Sequence, residues 1–214
     1  MPISEVYNED CMIGMAQYPD KYFDLAIVDP PYMDNFKTDN WVDSRAKQKE
    51  YKKDTHILTG RLPNTDYFDL LFKKSKNQII CGGNYFVLPI SRGWVVWYKS
   101  KQDNYFSDAE LLWTSFDRVL KVFEHTWSGM LQQNMKDKEN RIHPTQKPVQ
   151  LYKWLLKNYA KEGDKILDTH LGSGSSRIAC FDGGFDFVGF EIDKDYYEAQ
   201  EKRFQNYILQ QKLF

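Results

Sequence analysis

Lys165-Ile-Leu-Asp168-Thr-His-Leu-Gly172-Ser-Gly174-Ser-Ser176 is the stretch on which the fold turns. A short apolar run ends in an acid, two glycines follow with one residue between them, and a polar helix start comes next. The stretch therefore reads as strand, tight loop and helix N-terminus. Glycine permits the close backbone approach that a ligand loop demands, and the free N–H groups of the helix start are donors. Asp168, at the strand end, can accept bonds from a cationic amine. Nineteen residues beyond Gly172, after the next apolar run Phe187–Phe190, Glu191 stands where an acidic side chain binds two ribose hydroxyls. Together these features describe a nucleoside cofactor site. A bare strand-to-helix turn would also use the glycines, and Glu191 is what separates the two readings. The sixth position counted from Gly172 is Arg177, where a dinucleotide fingerprint needs glycine or alanine, and no Gly-Lys-Ser/Thr triplet occurs. Pyrophosphate and P-loop chemistry are disfavoured.

Outward from this stretch, short apolar runs bounded by turn residues recur at Phe23–Val28, Gln78–Cys81, Trp94–Trp97 and Leu111–Trp113, and a first strand precedes Asp10. Helical patterns alternate with them. Phe68, Leu71 and Phe72 share one face after Thr65-Asp66. Leu151, Trp154, Leu155 and Tyr159 share another, between Pro148 and Gly163. Further helices run from Ser175 to Gly183-Gly184 and from about Asp195 to Gln210. This alternation predicts an α/β sheet covered on both faces.

A second signal is Phe23-Asp-Leu-Ala-Ile-Val-Asp29-Pro30-Pro31-Tyr32. The prolines cannot continue a ladder and fix φ, so the Asp29 carboxylate and the Tyr32 ring are held at the carboxyl end of the strand, where open α/β sheets bind ligands. A carboxylate and a backbone carbonyl can accept both hydrogens of an exocyclic amine, and a neighbouring ring can stack on the base that bears it. Taken alone, the tetrapeptide could also be an unusual turn, the lesser of the two readings.

Asp29-Pro-Pro-Tyr32 and Asp168-Thr-His-Leu-Gly-Ser-Gly174, with His143-Pro-Thr-Gln-Lys-Pro148 just before the cofactor strand, resemble the motifs of the S-adenosylmethionine-dependent amino-methyltransferases of DNA. The tetrapeptide comes first and the glycine loop late, which resembles the permuted β group of that family. The similarity runs from Asp10 to about Phe204. It implies a single Rossmann-like methyltransferase domain over residues 1–214, with a mixed, mostly parallel seven-stranded sheet and circularly permuted motif order.

By position, the resemblance implies that Asp29, Pro30, Pro31 and Tyr32 hold and activate the target base. It also implies that Asp10, Cys11, Asp29, Thr145, Lys147, Asp168, Gly172, Ser173, Gly174, Ser175, Glu191 and Ile192 surround S-adenosylmethionine. Cys11 reads equally as a plain buried cysteine, and His143 as a residue capping its loop. Two departures stand out: Thr169-His170 replaces the Pro-Phe common after the loop's first acid, and Glu9-Asp10-Cys11 replaces Gly-Asp-Cys. Cytosine-N4 members often begin the tetrapeptide with Ser, so Asp29 favours adenine N6, with cytosine N4 as the alternative. A non-catalytic cofactor-sensing or DNA-binding module is the rival from another class.

Composition sets the outer bounds. The chain of 214 residues is 42% hydrophobic and 28% charged with net charge −1, as expected of a globular protein that is not coated in basic charge. No apolar run reaches the roughly 18 residues of a membrane span, and Met1-Pro2-Ile3-Ser4 opens no signal segment, so a soluble intracellular protein is expected, in cytoplasm or nucleoid. Cys11, Cys81 and Cys180 show no paired ligand spacing, and no metal is expected. The aromatic content of 16% leaves rings for stacking on a base.

Two segments lie outside the α/β pattern, at about 34–64 and 115–141, and are the candidate DNA-recognition elements. The basic run Arg45–Lys53 fits either a solvated loop or phosphate contacts, with Trp41, Arg45, Lys47, Lys49, Lys52, Lys53 and Arg61 as the DNA-binding candidates. So small a reader implies a short site, weak discrimination, or a homodimer that brings a second reader. No residue pattern points to a companion restriction enzyme.

Overall fold

The computed structural model describes residues 2–32, 63–100, 107–128 and 131–211. Along the chain run β1 (Ser4–Tyr7), α1 (Cys11–Ala16), β2 (Phe23–Val28), α2 (Thr65–Lys74), β3 (Ser75–Cys81), β4 (Trp94–Tyr98), β5 (Ala109–Thr114) and β6 (Lys121–Glu124). They are followed by β7 (Trp127–Ser128), β8 (Leu131–Gln132), α3 (Val149–Tyr159), β9 (Lys165–Asp168), α4 (Ser175–Gly183), β10 (Asp186–Phe190) and α5 (Lys194–Gln211). Among the described residues, one sheet has the order β1-β10-β9-β2-β3-β5-β4-β6, and β7 and β8 form a separate short hairpin. The first five strands of that order are mutually parallel, β5 runs antiparallel to both its neighbours, and β6 is parallel to β4.

The mixed, mostly parallel sheet is the expected one, but it has eight strands rather than seven. The extra strand is β6, inside the segment read as a recognition extension. Lys-Val-Phe-Glu has only Phe123 buried, so its four residues carry no continuous apolar run, and main-chain pairing with β4 makes it a strand. Helix α1 is likewise absent from the sequence reading, because six residues are too short to show a period; the Asp10 side chain caps it through the Met12 N–H at 2.8 Å.

Alternation along the strands divides the core in two. Leu25, Ile27, Ile79, Ile166 and Phe187 face α3, α4 and α5 through Leu151, Leu155, Ile178 and Phe204. Ala26, Val28, Ile80, Leu167 and Val188 face α1 and α2 through Met15, Tyr67, Phe68 and Leu71. Each fully buried Leu or Ile contributes about 1.5–3 kcal/mol over an exposed one, so this double interior stabilises the frame on which the strand ends sit.

Strand order places the site. From β9 the chain continues to β10 on one side, and from β2 to β3 on the other, so the parallel run reverses its direction of growth between β9 and β2. Ligands of open α/β sheets bind in the crevice at such a point, beyond the carboxyl ends of the strands. Ala26 pairs with Leu167 and Gly189 with Asp168, which brings Asp29, Asp168 and Glu191 to the same edge. No described helix is long and apolar enough to cross a membrane.

Candidate active site

The glycine loop leaves β9 as a turn, with the Gly174 N–H bonded to the Leu171 carbonyl at 3.0 Å, and Gly174 then caps α4. Gly172 and Gly174 have φ of +52° and +73°, in the left-handed region that penalises any side chain. A Cβ on Gly174 would also come to 3.1 Å of the Gln200 side chain. Arg203 of α5 fastens the loop from behind, donating to the Ser173 carbonyl at 2.8 Å and to Ser175 Oγ at 3.0 Å while pairing with Glu139 at 2.8 Å. Arg177, the residue that breaks the dinucleotide fingerprint, donates to Ser4, Gln200 and Glu201 and lies over the Phe204 ring. It ties α4 to α5 and β1.

Both carboxylates flanking this loop are buried and held. Glu191 accepts the Gly172 N–H at 2.7 Å and the Asp193 N–H at 2.9 Å, and burial raises its carboxyl. Asp168 accepts the Ser176 hydroxyl at 2.5 Å and the His170 N–H at 3.1 Å. Burial pushes its carboxyl up to about 7 against those two bonds, with the nearby Asp29 and Glu191 charges adding to the rise. A cation arriving beside Asp168 would ionise it. Thr169-His170 forms part of a buried chain: Tyr67 Oη lies 2.7 Å from Thr169 Oγ1, which lies 2.9 Å from His170 Nδ1, and burial holds the imidazole down at about 4.

The tetrapeptide stands across the crevice. Lys147 Nζ is 2.5 Å from Asp29 Oδ2, whereas Asp29 Oδ1 is buried with no hydrogen-bond partner among the described residues. Burial raises the Asp29 carboxyl even though Lys147 pulls it down. The Tyr32 ring packs against Gly82, whose φ of +65° and lack of Cβ are both required, since a Cβ would come to 2.7 Å of the ring. Tyr85 stacks on Tyr32 with centroids 4.7 Å apart and planes 1° from parallel.

The expected residues thus fall into two groups at one edge. Asp168, Gly172, Ser173, Gly174, Ser175 and Glu191 are buried around the loop, and Asp29, Pro30, Pro31 and Tyr32 sit on the other side. Lys147, expected among the cofactor contacts, has its ammonium on Asp29. Cys11 is half-buried with its thiol raised to about 12 by burial, a packing cysteine rather than a reactive one. Asp10 is exposed and used as a helix cap, Ile192 is exposed, and Thr145 is exposed with its side chain on His143 at 3.1 Å. His143 packs edge-on against Tyr196 and is held at about 4 by burial. Trp41, Arg45, Lys47, Lys49, Lys52, Lys53 and Arg61 lie outside the described residues. Sequence reading missed Tyr85, Glu110, Lys99 and Arg203. The first three sit on strands or turns remote in the chain from any motif.

The cradle fits a nucleoside with a cationic side arm: left-handed glycines that a Cβ would fill, a preset acidic strand end, and a buried carboxyl poised to ionise. Over 215 aligned residues the chain is 24% identical to the putative methylase YubD of Escherichia coli (strain K12), covering 94% of this chain and 90% of that one. It is 33% identical to the type II methyltransferase M2.DpnII of Streptococcus pneumoniae over 85 residues, which are 40% of this chain and 31% of the relative. The fold is that of M1.HpyAVI in its S-adenosylmethionine complex, with TM-score 0.58 and 18% identity over 94% of this chain and 100% of the other. It is also that of the cytosine-N4-specific PvuII DNA methyltransferase, with TM-score 0.62 and 15% identity over 95% and 87%. The family model for DNA methylases, covering N6 and N4 methyltransferases, matches residues 46–202, well over half of the chain. This chain belongs to the DNA methylase family, and its methyl donor is S-adenosylmethionine.

Proposed function

We propose that the chain is a site-specific DNA adenine-N6 methyltransferase acting on a base flipped from the duplex, and that residues 1–214 form one catalytic domain. The observation that carries this reading is the buried Oδ1 of Asp29, without a hydrogen-bond partner among the described residues and near enough to Tyr32 for its charge to act on that side chain. S-adenosylmethionine, held by Asp168, the Gly172–Ser175 loop and Glu191, supplies an electrophilic methyl group. Adenine N6 is a weak nucleophile because its lone pair is delocalised into the ring. Asp29 Oδ1 and the Pro30 carbonyl accept its two hydrogens, which draws the nitrogen toward tetrahedral geometry and directs its lone pair. Burial makes the Asp29 carboxylate a competent acceptor for the proton the amine sheds. Tyr32 stacks on the base, replacing what the base loses on leaving the helix.

Adenine is favoured because an acid, not Ser, opens the tetrapeptide. Incubation with labelled S-adenosylmethionine and DNA of mixed sequence, followed by nucleoside analysis, tests the reading. N6-methyladenine is expected; N4-methylcytosine would replace adenine by cytosine, and no methylated nucleoside would leave a binding module. The segments at about 34–64 and 115–141 are proposed to contact DNA. Neutralising Lys47, Lys49, Lys52 and Lys53 together should weaken DNA binding and flatten its salt dependence, by about one unit of slope for each phosphate no longer neutralised, without changing cofactor affinity. Identical affinities across a salt series would remove this run from the interface.

A further inference from the structure

The Asp29–Lys147 pair is one end of a longer series of charges. Lys147 Nζ, 2.5 Å from Asp29 Oδ2, is 3.6 Å from Glu110 Oε2, and Glu110 Oε1 is 2.5 Å from Lys99 Nζ. Two carboxylates and two ammoniums alternate from the end of β2, through the segment before α3, to the start of β5 and the residue after β4. The Lys147 side chain is 4% exposed, so its charge lies where desolvation is severe and compensation is required. The ammonium's hydrogen bond goes to Asp29 Oδ2, with Glu110 Oε2 at ion-pair distance on the other side, and Asp29 Oδ1 and Glu110 Oε2 are both buried with no hydrogen-bond partner among the described residues.

We propose that Glu110, braced by Lys99, is a positioning residue for the methyl-accepting amine: by sharing the Lys147 ammonium it confines that ammonium to Asp29 Oδ2 and keeps Oδ1 open as the amine's acceptor. This rests on the reading of Asp29 given above. Without the Glu110 charge, Lys147 would settle wholly on Asp29, closing over both oxygens and weakening them as acceptors. Electrostatics point the same way. Glu110 pushes the Asp29 carboxyl up while Lys147 pulls it down, and Glu110 itself is held low by Lys147 and Lys99 despite its burial. It is the fixed anion of the series. The other ionisable groups facing Asp29 are Tyr32 on its own loop, Tyr67 of α2, Cys81 at the end of β3, Lys99, Tyr152 of α3 and Asp168. Burial raises Tyr32, Tyr67, Cys81 and Tyr152, which stay neutral at working pH.

The test is the pH profile of kcat at saturating DNA and S-adenosylmethionine for the parent, Glu110→Gln, Glu110→Asp and Lys147→Met, with Asp29→Asn as reference. Glu110→Gln keeps shape and removes charge. It should lower kcat by roughly tenfold, the scale of an outer hydrogen-bond partner, and leave the KM for cofactor unchanged. Its acid limb should move to lower pH, because Asp29 loses a neighbouring anion, whereas Lys147→Met should move the limb to higher pH. Glu110→Asp should recover part of the rate. The Asp29 carboxyl, followed by carbon NMR in the free protein as the signal missing from Asp29→Asn, should move with the limb even if a variant turns over too slowly to assay. A normal kcat in Glu110→Gln, or a lowered kcat with both limb and carboxyl unmoved, would overturn the proposal while leaving Asp29 in its role. Full activity of Asp29→Asn would overturn the underlying reading instead.

Discussion

On the glycine-loop side of the crevice each oxygen of Asp168 and Glu191 has a partner, whereas on the tetrapeptide side Asp29 has one oxygen bonded and one without a hydrogen-bond partner among the described residues. Asp168 and Glu191 each accept two hydrogen bonds from the loop and helix start beside them, and Arg203 locks that loop from the rear. Asp29 Oδ1 is buried without a donor among the described residues, an arrangement that costs about 1–3 kcal/mol in a finished interior. The difference teaches where preorganisation ends. In the proposed roles, the cofactor half is complete in itself and needs only a ligand of the right shape, while the base half keeps an acceptor for an incoming amine.

The largest effect should come from removing that acceptor. Asp29→Asn replaces an acceptor pair by an amide, so turnover should fall by roughly 10² or more with cofactor affinity little changed. Lys147 retains Glu110 in this variant, so the fold should hold. Single-turnover kinetics together with cofactor calorimetry check both halves of the expectation, and near-normal turnover would end the contrast between the two sides.

The cofactor half is broken differently. Gly174→Val puts a branched side chain at φ +73° and drives it toward Gln200, and Glu191→Ala removes the acid at the strand end. Each should weaken S-adenosylmethionine binding about tenfold or more, with melting temperature reduced modestly and DNA affinity untouched. Calorimetry showing parental affinity in both variants would refute the placement of the cofactor here.

Acidity sharpens the same half. With the Asp168 carboxyl raised to about 7, the free protein carries it protonated below that pH, and a cationic ligand must expel the proton to gain a charge partner. S-adenosylmethionine affinity should therefore be constant above about pH 7 and fall below it, by at most about tenfold per pH unit, with a proton released on binding. Calorimetry in buffers of different ionisation enthalpy reads that proton directly. Affinity independent of pH between about 5.5 and 8, with no proton released, would take Asp168 away from the cofactor's cationic arm.

What the chain revealed in advance follows the same division. The cofactor half was legible because its parts are consecutive: Lys165–Ser176 is strand, loop and cap in a row, and Glu191 lies one strand further on. Local chemistry sets such geometry, and sequence records local chemistry. The tetrapeptide was legible for that reason too, but its setting was not. Lys147 meets Asp29 across 118 residues, and Glu110 reaches the pair from a strand whose order in the sheet no periodicity encodes. Strand β6 escaped notice because its pairing is a property of the main chain, and its side chains are mostly exposed.

The smallest effect expected lies at the mouth of the base half. Tyr32 is fixed by its two prolines and by Gly82, while Tyr85 is 59% exposed on the short turn Gly83–Tyr85, so of the two stacked rings Tyr85 is the one free to leave. A flipped base that stacks on the face Tyr85 now covers must first displace it. An aromatic pair is worth about 0.5–1.5 kcal/mol beyond burial, which corresponds to roughly 2- to 12-fold in an equilibrium. Tyr85→Ala should therefore lower the KM for DNA within that range and leave kcat unchanged, whereas Tyr32→Ala should raise KM and Tyr32→Phe should retain most activity, since stacking needs the ring and not the hydroxyl. A raised KM in Tyr85→Ala would mean that the base slides between the rings and that Tyr85 is a second wall of the pocket. The base half would then be as preformed as the cofactor half except for the one open oxygen of Asp29.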